Sequence, residues 1–152
     1  IEHRDQPAQK LSSVERIWGK EVKSHGYAGI PNILIRAQHR LGLNPTQMNI
    51  IVQLLEYWIE PERKPFPTKK ELAARMGVNP KTIQINIRLM EEANLIARER
   101  RKDQAGDWTS NRYHLDGLVH KVKKIAPEFS AEREQREALR KNTITPKGKR
   151  KR

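Results

Sequence analysis

Between residues 79 and 92 the chain reads NPKTIQINIRLMEE, and its polar side chains are of the kinds that recognise nucleic-acid bases. Arg and Lys match guanine O6 and N7, Gln and Asn match the donor and acceptor of adenine, Thr bonds either way, and an aliphatic group meets the thymine methyl. Ile83, Ile87 and Met90 recur at helical spacing and are read as inward. That leaves Lys81, Thr82, Gln84, Ile85, Asn86 and Arg88 as the outward or lateral row, the candidate base readers. Two further polar sets flank it. Thr68, Lys69 and Lys70 precede ELAARMG, while Arg100, Arg101 and Lys102 lie in one polar run and Arg112 in the next. Their chemistry is phosphate contact, which positions a protein on DNA without reading sequence. Charges on a helix are often only its solvated face, so part of the outward row is expected to contact nothing.

Catalytic chemistry finds little support. His3, His25, His39, His114 and His120 show neither metal-ligand spacing nor carboxylates at matching offsets, and the chain contains no cysteine. Neither a Gly-rich phosphate loop nor a nucleophile elbow is present. The expectation is no enzyme, no metal and no cofactor, with metal-dependent cleavage of plasmid DNA as the discriminating assay.

The elements that must position these residues can be read from punctuation. Asn44-Pro45-Thr46-Gln47 and Thr68-Lys69-Lys70-Glu71 both have the form of capping boxes, and Asn79-Pro80 has the form of a third helix start. The first opens a helix with Ile50, Ile51, Leu54, Leu55 and Trp58 along one stripe. The second opens a short helix with Leu72, Ala73 and Met76 inward, closed by Gly77. The third closes at Asn94, a residue type that tolerates the left-handed cap. LIARERRK, the turn DQAGDW and TSNRYHL then read as a hairpin, with Tyr113 and Leu115 on one face. Upstream, Val14, Ile17, Trp18 and Val22 lie near helical spacing behind Ser12 or Ser13, weakened by Gly19. A short helix is expected after Pro31, ending near Gly42. Downstream, a helix from Leu118 carries Val119, Val122 and Ile125 inward and meets Pro127.

Two short helices joined by a Gly-containing turn form a helix-turn-helix, and a preceding apolar helix with a following basic hairpin gives its winged form. KKELAARMGVNPKTIQINIRLMEEANLIARERR resembles the motif and first wing strand of bacterial winged-helix regulators, including plasmid- and phage-borne members. GYAGIPNILIRAQHRLGLNPTQMNIIVQLLEYW and TSNRYHLDGL extend the likeness over roughly residues 26 to 118. The resemblance implies that Lys81 through Arg88 enter the major groove and that Arg100 through Arg112 touch backbone or minor groove. Ile85 stands where a basic residue is common, which points to a thymine-methyl contact, and Asn94 stands where Gly is common.

Composition agrees. The 152 residues carry a formal charge of +13 with 36% hydrophobic and 32% charged residues, a balance that favours a polyanionic partner. From Lys121 onward twelve Lys or Arg face four Glu, so +8 of that charge lies outside the motif. The expected class is mainly α with a small β-hairpin wing, a winged helix-turn-helix with flanking helices and a basic C-terminal tail. The expected domains are an N-terminal arm and helix over 1–25, the DNA-binding domain over 26–126, and a charged helix with a basic disordered tail over 127–152. No apolar run is long enough to span a bilayer and IEHRDQPAQK has no signal-peptide core, so a soluble cytoplasmic, nucleoid-associated protein is expected. The functional expectation is a sequence-specific double-stranded DNA-binding transcriptional regulator. Its alternatives are a plasmid or phage replication-initiation or partition accessory factor, and a protein-interaction module with a basic surface. Apolar positions beyond what a minimal winged helix buries leave two uses open, a homodimer interface or padding of the monomer's core.

Overall fold

The computed structural model describes residues 10–143, so the arm over 1–9 and the last tail residues, 144–152, lie outside the described residues. Within them the order is α1 (Ser13–Ser24), α2 (Asn32–Arg36), α3 (Pro45–Tyr57), α4 (Lys69–Met76), α5 (Pro80–Glu92), β1 (Ala97–Lys102), β2 (Trp108–His114) and α6 (Asp116–Thr143). β1 and β2 form an antiparallel two-stranded hairpin. The chain is thus mainly helical with a β-hairpin wing, the expected class.

Local chemistry sets the helix starts. The Asn44 side chain accepts from the Gln47 amide while the Gln47 side chain accepts from that of Asn44, and Thr68 and Glu71 repeat the arrangement. Each box satisfies donors that the first turn leaves open. Asn79 caps α5 by accepting from the Lys81 amide, and Pro80 occupies the first turn, where no N–H is needed. α4 ends on Gly77 at φ 66°, and Asn94, just past α5, sits at φ 55°.

These ends direct three helices and the hairpin onto one core. Ile50, Ile51 and Leu54 of α3, Leu72 of α4, and Ile83, Ile87 and Met90 of α5 meet Tyr113, Leu115 and Leu118 there. Removing one such side chain to Ala typically costs about 2–5 kcal/mol, because transfer free energy and packing are lost together. Tyr113 also ties the wing to the α3–α4 connector, its amide donating to the Pro65 carbonyl at 2.8 Å.

The flanks differ from expectation in two places, the end of α2 and the course of α6. α2 stops at Arg36 and turns fill residues 37–42, rather than a helix running to Gly42. Helix α6 runs unbroken through Pro127, so the boundary expected at 126/127 falls inside one element. Proline forfeits a single bond to Lys123, on the exposed side where solvent reaches the freed carbonyl. α1 forms behind Ser12 and bends at Gly19, φ 84°, but buries none of its residues. Ile17, Trp18 and Val22 are at least half exposed, so they do not pad the monomer's core.

α6 begins where α5 ends. Leu118 donates its amide to Leu95, Lys121 donates to the Ala93 carbonyl, and Gly117 lies so close that a Cβ there would sit 1.9 Å from the Asn94 oxygen. Only glycine permits that approach.

Candidate nucleic-acid interface

On α5 the outward row is Lys81, Gln84, Ile85 and Arg88, all exposed, with Ile85 at 39%. Two members of the expected row are placed otherwise. Asn86 is buried at 8% exposure: its amide nitrogen donates to the Thr82 carbonyl at 2.9 Å, and its oxygen accepts from Asn44 at 3.2 Å. It fastens α5 to the start of α3, so its assignment as a base reader is corrected. Thr82 is half-buried beside it. Burial, with one bond made from each end of the amide, withholds Asn86 from a base edge.

The wing separates its cations by face. β1 pairs with β2 as Arg98 to Tyr113 and Glu99 to Arg112, then shifts by one residue between Glu99 and Arg101. Such a bulge twists the ribbon and re-aims its side chains. Arg100 and Lys102 both lie over the Trp108 ring, at 5.1 and 4.8 Å. Arg100 and Trp108 border a cleft of about 620 Å³ between wing and α5, reached also by Gln84 and Lys69. Arg101 turns the other way, onto the Phe66 ring at 4.1 Å and the Ser110 hydroxyl at 3.5 Å. Arg112 is occupied as well, donating to Glu99 at 3.3 Å, while His114 holds the other carboxylate oxygen at 2.7 Å. Arg101 and Arg112 therefore do not join Arg100 and Lys102 on the cleft side.

At the start of α4, Lys70 is exposed and Lys69 half-buried in the cleft wall. Burial first, and the nearby Arg98 charge second, lower the Lys69 pKa, while Glu91 opposes them. Thr68 spends its oxygen as an acceptor for the cap. Glu91, the carboxylate of the cleft, forms an ion pair with Arg98; its buried Oε1 lies beside the guanidinium without hydrogen-bond alignment. The pairing cancels a charge that would otherwise repel a phosphate. Arg98, Thr109 and Asn111 thus belong to the cleft although the candidate set lacked them. Strand alternation from Arg100 would have found Arg98, and the hairpin pairing would have found Asn111.

Among the described residues, no three His, Cys, Asp or Glu are grouped to hold a metal ion. In the same span no helix is long and apolar enough to cross a membrane. The family model described as the DnaD N-terminal domain matches residues 30–135, from α2 into α6. The chain belongs to the DnaD N-terminal domain family. The solved N-terminal domain of DnaD from Geobacillus kaustophilus HTA426 is similar in fold, with a TM-score of 0.55 at 22% identity over 76% of this chain and 93% of that one. A possible transcriptional regulator from Methanosarcina mazei Go1 gives a TM-score of 0.45 at 14% identity, covering 72% of this chain and 88% of that one. No curated protein matches the chain. The winged-helix architecture inferred from sequence is the fold observed, and its family is that of the DnaD N-terminal domain.

Proposed function

We propose that this protein binds double-stranded DNA, presenting α5 to the major groove and gripping the flanking backbone with the start of α4 and the wing. The observation that carries the reading is the exposed row Lys81, Gln84, Ile85 and Arg88, bordered by Lys70 on one side and by Arg100 and Lys102 on the other. Among the described residues none of the five cations in this set takes part in an ion pair with a carboxylate. A helix held from behind by α3 and α4 while its outer row stays open is what base readout requires.

Two roles use this face, regulation of transcription and an accessory part in replication initiation or partition. The family match favours the second, DnaD being replication-related. Selecting bound sequences from a random DNA pool tests both. A palindrome supports an operator, direct repeats support an origin, and the absence of any enriched motif overturns sequence-specific binding in favour of an interaction module. The proposal includes no catalysis, so plasmid DNA is expected to stay intact with added divalent metal. It places the protein on the bacterial nucleoid.

We also propose a homodimer through α1. Ile17, Trp18 and Val22 remain exposed on a helix that buries nothing of itself, and two-fold symmetry would bring two recognition helices to successive grooves. A monomeric mass by light scattering, both free and at saturating DNA, overturns this.

A further inference from the structure

The cleft between α5 and the wing has a composition that duplex contact alone does not explain. Its rim carries Trp108, 63% exposed, although a tryptophan ring gains most by burial. Arg100 and Lys102 lie over that ring without covering it. Two amides from different elements, Gln84 on α5 and Asn111 on β2, line the same cleft, as does Lys69. The cleft's one carboxylate, Glu91, is held by Arg98.

An aromatic face, paired amides and a cation are the parts a nucleotide needs: a surface to stack on, donors and acceptors for a base edge, and a charge for the phosphate. A volume of about 620 Å³ has room for a base with its sugar. A base inside a duplex cannot offer its face to a side chain, whereas an unpaired one can. We propose that this cleft takes one unpaired nucleotide, with its base stacked on Trp108, its edge met by Gln84 and Asn111, and its phosphate met by Lys69 and Arg100. The site then reads the boundary between duplex and single strand, with paired DNA on α5 and the first unpaired base in the cleft. This inference rests on the DNA-binding reading and deepens it.

The test compares the full chain with Trp108→Phe and Trp108→Ala, using a mixed-sequence single strand, its duplex, and that duplex with a single-stranded extension. Tryptophan fluorescence is expected to be quenched by the single strand and the extended duplex. The quench should vanish in Trp108→Phe, whose ring still stacks and should largely keep the affinity. Trp108→Ala should bind both of these DNAs about 5- to 150-fold more weakly, the worth of one base stack, and bind plain duplex as before. Because the ring is exposed, circular dichroism should show both variants folded. A loss of equal size on plain duplex, or confined to it, overturns the proposal in favour of a groove contact. Unchanged fluorescence with every DNA, while duplex still binds, overturns it and leaves the DNA-binding reading standing. No binding of DNA in any form overturns both.

Discussion

The two faces of the wing carry similar residues and differ in what those residues are free to do. Toward α5, Arg100 and Lys102 rest on an exposed tryptophan and keep their charge available. On the other side, Arg101 is held against Phe66, and Arg112 shares Glu99 with His114. Helix α5 repeats the contrast with two amides, Gln84 open on the outer row and Asn86 bonded within the domain. Residue type sets which contacts are chemically allowed; the neighbours decide whether any capacity remains for a ligand.

The largest expected effect separates the two amides. Asn86→Ala should lower stability by about 1–3 kcal/mol, since it removes two hydrogen bonds inside the domain at roughly 0.5–1.5 kcal/mol each, and should leave the preference for specific over random DNA unchanged. Gln84→Ala should do the reverse, removing about 1–3 kcal/mol of that preference with little change in unfolding. Denaturant melts beside competition binding check both, and an exchange of the two phenotypes breaks the comparison. On the wing, the double change Arg100→Ala and Lys102→Ala should reduce the slope of log affinity against log salt by about 1.8, at roughly 0.9 per phosphate contact. Arg101→Ala and Arg112→Ala should leave that slope nearly untouched; if they alter it as much as the first pair, the division into faces is wrong.

A smaller change converts one face into the other. Glu99→Gln releases Arg112, and the salt slope should then rise by up to about 0.9. The smallest effect concerns acid. The His114 hydrogen bond, chiefly, and the Arg112 charge hold the Glu99 carboxyl below its ordinary pKa. A carboxyl depressed in the folded state contributes stability that is fully present above its unfolded pKa and is lost as pH falls through the folded one. The Glu99 contribution should therefore fade below the usual carboxylate range, and thermal melts of Glu99→Gln should lose that part of the pH dependence. An identical acid profile for both proteins removes the pairing from the account.

What sequence reveals about this domain follows the range of the forces involved. Capping boxes at Asn44 and Thr68 and the left-handed Asn94 act within a few residues, so they are legible directly. Asn86 was legible in part: it stands three residues after Ile83 and four before Met90, on the inward stripe, but its polar type pointed outward. Its partner Asn44 is 42 residues away, and only the fold brings them together. The wing faces stayed hidden for another reason. Alternation assigns faces only while register holds, and the shift between Glu99 and Arg101 interrupts it. For α1, periodicity marked an apolar stripe but could not say what the stripe would meet.

The junction of α5 with α6 gives the molecule a mechanical linkage. At 28 residues, α6 is a rod of about 42 Å at 1.5 Å per residue. Its root is fixed by Gly117 under the Asn94 carbonyl and by Lys121 on that of Ala93, against the end of the helix proposed to enter the groove. A tilt of only about 5° at such a root carries the tip of a rod this long through roughly 3–4 Å. The geometry is that of a lever: because Gly117 and Lys121 tie the root to the end of α5, any tilt of α5 that carried the root with it would be magnified at the far end of α6.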